Sequence, residues 1–150
     1  ANDHNWSQSI SADGRFVAFG SRATNLVPGD TNGQYDVFVH DRETGKTERV
    51  ENDGAGQVQN QVPSTSISAD GRFVAFHSSA TNLAPGDTNG AIDTFVYDRE
   101  TGKTERVSID SAGNQGSSES GAPSISADGR HVTWVWLLCD DEKIPVNRQV

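Results

Sequence analysis

A single cysteine, Cys139, stands in a chain of 150 residues, so no internal disulfide can hold the fold together. Basic residues are scarce: 12 Lys and Arg face 21 Asp and Glu, a formal net charge of -9. Nucleic acid and anionic lipid select basic faces, so neither is an expected partner. Long apolar runs are missing too. The longest, HVTWVWLLC near the C-terminus, falls well short of the roughly 18–20 residues of a membrane helix. The first residues, ANDHNWSQSISADG, lack the basic and then apolar order of a signal peptide, which is expected of a mature start or of a piece of something longer. Also absent are a GxSxG elbow, an HExxH pair, a phosphate loop and the SxDxGxxW Asp-box, to which SADGRF comes nearest. Apart from Asp140 to Glu142, the acids that are present lie singly or in pairs among Arg and Lys, the pattern of a solvated surface.

What the chain has in abundance is itself. SISADGRFVAF at 9–19 returns at 66–76, and SISADGRHVTW follows at 124–134, a period of 57 and then 58 residues. Residues 9–53 and 66–110 agree at roughly four in five positions without a gap, so the two stretches share one backbone.

Each unit reads as strands. A short SIS segment precedes an Ala-Asp-Gly-Arg turn, where Asp and Gly both tolerate positive φ. Phe16 to Phe19, and Phe73 to Phe76, form a short apolar second strand. DVFVHD at 36–41 and DTFVYD at 93–98 supply a third. TERV, after the Arg-Glu-Thr-Gly-Lys turn, supplies a fourth. The central strands lack polar and apolar alternation, so both faces are expected to be covered. Four-stranded antiparallel meanders repeated with both faces covered fit a β-propeller; a solenoid competes, but its coils are usually shorter.

The pattern SxSADGRFVAFxSxATNLxPGDTNGxxDxFVYDRETGxTERVS resembles the TolB-like, WD40-like PD40 propeller repeats of bacterial proteins. The resemblance covers about residues 9–134 and implies an all-β propeller, with little said about function because these repeats occur in many proteins. The expected organisation is one repeat domain, 1–150, with blade 1 at about 9–50, blade 2 at about 66–107 and a partial blade 3 at about 124–150. After Trp134 the third unit departs from the template as LLCDDEKIPVNRQV, in which Asp140 to Lys143 form a turn into a third strand or the end of the repeat. About 2.5 blades do not close a ring, since propellers use about 4–8. Uncovered end faces predict a homo-oligomer, two chains completing a ring of roughly five or six blades, or attachment to the rest of a longer chain.

The candidate site lies in the loop quoted as PGDTNG. Asp30, Asn32 and Asp36, and again Asp87, Asn89 and Asp93, place oxygens at alternate positions around Gly33 or Gly90, similar to calcium loops of the D-x-[DN]-x-D-G kind. Aligned on Gly33, the three residues fall at ligand positions three, five and nine, and Gln34 offers its carbonyl. Pro28 replaces the first Asp and no Glu closes the set, so calcium, the one cofactor expected, would bind weakly. The competing reading is a turn held by Asx bonds. Asp41 with Arg42 and Asp98 with Arg99 are expected to make hairpin-end hydrogen bonds or ion pairs. The four histidines sit at unrelated repeat positions, which disfavours a metal cluster. Trp6, Trp134 and Trp136 suit packing better than a sugar platform.

The function expected from these residues is a non-enzymatic binding or scaffolding propeller, exported to the periplasm or cell exterior, with a protein or glycan ligand. Two alternatives stand beside it. One is the propeller part of a larger hydrolase, since similar propellers precede the catalytic domains of prolyl-oligopeptidase-like and tricorn-like proteases. The other is a carbohydrate-binding propeller.

Overall fold

The computed structural model describes residues 2–31, 33–50, 64–116, 118–137 and 145–149, beyond Val135 as backbone only. The Ser-Ala-Asp-Gly-Arg hairpin explains why its sequence recurs. Ser11 Oγ donates to Asp13 Oδ1 at 2.6 Å and accepts the Phe16 amide at 2.9 Å, while Asp13 Oδ1 also takes the Arg15 amide at 2.9 Å. The same three bonds recur around Asp70 and Asp128. Only the glycine adopts positive φ, 73° at Gly14. The Asp, which tolerates positive φ, does not use it here and acts through its carboxylate. The serine hydroxyl holds each of these three carboxyls below the usual range.

Such hairpins link the first two strands of three antiparallel sheets. β1 (Asn5–Ile10), β2 (Phe16–Ser21), β3 (Asp36–Asp41) and β4 (Thr47–Arg49) form the first, in that order. β5 (Thr65–Ile67), β6 (Phe73–Ser78), β7 (Asp93–Asp98) and β8 (Lys103–Arg106) form the second. β9 (Glu119–Ile125), β10 (His131–Leu137) and β11 (Pro145–Gln149) form the third. The divergent tail thus returns as a strand beside β10, with Trp134 opposite Val146. β1 starts at Asn5, ahead of the repeated sequence, because pairing with Ser21 and Gly20 of β2 holds it. No helix occurs among the described residues, and so none is long and apolar enough to cross a membrane.

The inner strands β1, β5 and β9 neighbour one another and the sheets radiate from them as blades. Alternation gives each blade two unlike faces. One, here termed the inserting face, carries Phe16, Ala18 and Val39 in blade 1. The other, the receiving face, carries Ile10, Val17 and Phe19. Ala18, Val37, Val39 and Val50 of blade 1 pack on Ile67, Val74, Phe76 and Phe95 of blade 2. Ala75, Val96 and Val107 of blade 2 pack in turn on Ile125, Val132 and Trp134 of blade 3. Burying a side chain such as Phe76, fully enclosed here, contributes about 2–3 kcal/mol. That explains why FVAF of blade 2 lacks a polar side: both of its faces meet a neighbour.

A glycine fixes the register of each seam. The Phe16 ring lies against Gly71, and the Phe73 ring against Gly129, so closely that a Cβ at either glycine would collide with it. Hydrogen bonds join the seams near the axis: the Ala12 amide donates to Ala69 O and the Ala69 amide to Ala127 O, both at 2.9 Å. The Ile67 amide donates to Ser9 Oγ and the Ile125 amide to Ser66 Oγ, both at 3.1 Å.

Candidate functional site

The loops between the second and third strands end in an Asp that opens the third strand. Asp93 and Phe95 point to one face of β7, and Arg106 lies opposite Phe95 in the β7–β8 ladder, so its guanidinium arrives beside Asp93. Arg106 Nη1 sits 3.6 Å from Asp93 Oδ2 and 3.4 Å from Asp87 Oδ1. Arg49, opposite Phe38, repeats this in blade 1, at 3.7 Å from Asp36 Oδ2 and 3.9 Å from Asp30 Oδ1. All four carboxylates are buried, and each pair faces one guanidinium.

The remaining polar atoms of the blade 2 loop are tied to its surroundings. Ser108 Oγ donates to Asp93 Oδ1 at 2.6 Å. Asn89 Oδ1 accepts the Ala91 amide at 2.9 Å, and its Nδ2 donates to Asp93 Oδ2 and Gly116 O. Gln115, from the segment leading to blade 3, accepts from Arg106 and the Thr88 amide and donates to Thr88 Oγ1. Asp87 Oδ1 and Asp30 Oδ1 are buried without a hydrogen bond and meet the guanidinium at ion-pair distance alone. Burial raises the Asp87 carboxyl, the Asp93 charge adds to that, and Arg106 opposes both.

The structure therefore brings Asp87, Asn89 and Asp93 together, and likewise Asp30 and Asp36; Asn32 lies outside the described residues. Among the described residues no three His, Cys, Asp or Glu side chains gather as metal ligands would. The Asn89 oxygen points to its own loop. The arginines are what reasoning along the loop missed. The signal was the second TERV, which repeats Arg at the position facing a strand-three phenylalanine.

The hairpin ends were read in part. Asp41 pairs with Arg15 through two hydrogen bonds, 3.1 and 2.8 Å, and accepts the Glu43 amide; Arg42 instead donates to Gly14 O at 2.7 Å. Arg72 holds Asp98 in the same way. Those guanidiniums keep Asp41 well below the carboxylate range and lower Asp98 to about 2. Trp134 is buried in the second seam, whereas Trp6 is exposed.

Radial four-stranded meanders packed face to face define a β-propeller, here an incomplete ring. No family model and no curated protein matches the chain. Solved structures do. The chain is similar to a putative TolB from Agrobacterium tumefaciens at 20% identity, over 91% of this chain and 40% of that one, with a TM-score of 0.59. It is similar to a chain from a study of two prolyl endopeptidases at 14% identity, over 98% of this chain and 20% of that one, with a TM-score of 0.62. The β-propeller domain of the Trilobed protease from Pyrococcus furiosus follows at 16% identity, over 95% of this chain and 37% of that one, with a TM-score of 0.56. The fold is a TolB-like propeller, and the chain spans less than half the length of each of these structures.

Proposed function

We propose that this chain is a non-enzymatic propeller module that presents loops to a protein or glycan ligand outside the cytoplasm. The observation that carries this reading is the repeated Asp–Arg–Asp arrangement. It spends buried charge on holding each loop in one shape, and a rigid loop loses less conformational entropy when it binds. The exported location rests on the TolB-like fold. The cation of each loop is the blade's own arginine. Millimolar calcium is therefore expected to leave the melting temperature unchanged, and a rise of several degrees would place a metal there instead.

A glycan and peptide array probed with the chain tests the ligand role: binding that survives loss of Trp6 but not of the exposed Thr88 or Pro85 is expected. Binding that no loop substitution affects would overturn it. The second reading, a propeller serving a hydrolase, is favoured by the overlay of 98% of this chain on part of a prolyl endopeptidase. It is tested by expressing the whole reading frame that contains this chain and assaying peptidyl p-nitroanilide cleavage: cleavage is expected on this reading, and its absence would overturn it.

A further inference from the structure

Among the described residues the receiving face occurs three times and is covered twice. Ile67 and Ile125 are 7% and 9% exposed, whereas the equivalent Ile10 is 55% exposed. Val74 and Val132 are buried, and Val17 is only half-buried. On the same face a groove of about 510 Å³ is lined by Val17, Phe19, Leu26, His40, Arg42 and Thr47. One period later, Val74, Phe76, Leu83 and Tyr97 pack against the core that blade 1 shares with blade 2.

The two formed seams specify what would cover this one. Gly71 and Gly129 are buried under Phe16 and Phe73, while Gly14 meets only Arg42 and Ile10 of its own blade. Arg99 donates to Gly71 O at 2.7 Å, holds its guanidinium 4.1 Å from the Phe16 ring centre and pairs with Glu48. Arg42 makes the equivalent bond to Gly14 O and is exposed, and no ring lies over it among the described residues. Ser9 Oγ and Ser66 Oγ take the amides of Ile67 and Ile125, and no described residue offers a hydroxyl to the amide of Ile10.

We propose that the receiving face of blade 1 seats one further blade of this same template, carrying an aromatic residue at the Phe16 position and a carboxylate at the Glu48 position. The aromatic ring would lie between Gly14 and Arg42, and the carboxylate would meet the Arg42 guanidinium. The third blade of a second copy of this chain fits this seat poorly. It presents His131 where Phe16 and Phe73 stand, and Thr133 where Ala18 and Ala75 stand, both exposed. A hydroxyl against Val17 and Phe19 would lose hydration without a partner. The seat is independent of any ligand the loops recognise, and its failure would leave that reading untouched.

The test is a longer chain in which residues 1–64 are followed by residues 8–150, which adds one 57-residue unit in register. The extended chain is expected to melt at least about 5 °C higher. In the original chain Ile10→Asp shifts the melting temperature by less than about 2 °C, whereas at the interior copy it lowers it by more than about 5 °C. Hydrogen exchange gives a reading that does not need the variant to fold: the interior Ile10 amide becomes as protected as that of Ile67, while the Ile10 amide of the original chain exchanges faster. An unchanged melting temperature with a silent interior Ile10→Asp would overturn the proposal. So would a dimer of the original chain, seen by sedimentation, that Ile10→Asp splits, because the occupant would then be a second copy.

Discussion

Two carboxylates sharing one guanidinium form a charged group that cannot lose its cation cheaply. Arg106→Met leaves Asp87 and Asp93 buried together, and a loss of about 3–5 kcal/mol at neutral pH is expected in urea denaturation. Asp98 behaves differently, because its partner Arg72 lies at the blade edge. Its carboxyl falls from 3.8 to about 2 in the folded chain. The ionised form thus favours folding above the unfolded value, and that stability is lost as pH falls through about 2. With the solvent around Arg72 allowed for, it amounts to on the order of 1 kcal/mol. Asp98→Asn should lack this increment at pH 6 and converge with the parent near pH 2 in acid unfolding curves. At this scale the sequence showed half of the site. The Asp and Asn residues stand within one short loop and are readable as a set. Arg49 and Arg106 reach them from a different strand, and only the strand register places them opposite Phe38 and Phe95.

Strand and turn were legible along the repeat because local chemistry decides them: Asp13 and Gly14 make the hairpin, and a short apolar run follows. What a local reading cannot show is which blade a residue touches. Gly71 reads as a turn glycine, and so it is, at a φ of 75°, but it is also the floor beneath the Phe16 ring. Gly71→Ala is therefore expected to cost more than the backbone strain of about 1–3 kcal/mol, since the ring must shift as well. In the Phe16→Ala background the extra part should vanish, so a double-mutant cycle of melting curves should give a coupling of about 1–2 kcal/mol. Additive costs would mean that the ring and the glycine do not meet.

For the molecule as a whole, equivalent letters in the repeat are not equivalent positions. Ile67→Ala is expected to cost about 2–5 kcal/mol and Ile10→Ala well under about 1 kcal/mol, because a neighbour covers the first and not the second. Comparing the two variants by thermal denaturation checks this, and equal losses would mean that the face at Ile10 is covered in solution. The blade template predicted an incomplete ring. It did not predict that the two ends would differ in chemistry. His131 and Thr133 break the template at just the positions that would insert into a next blade, and Ile10 and Val17 keep it at the positions that would receive one.

The ring of Phe16 resting on Gly71 makes each joint one-way. A row of blades joined this way always has one joint fewer than it has blades, and the three sheets here share two. Closing a circle adds a last joint without adding a residue, and the entropy of ordering the chain has by then been spent. The final blade to arrive therefore gains contacts on both of its sides at once. A TolB-like ring should resist opening more than any open row of the same blades, with the strength residing in the circuit rather than in any one of its sheets.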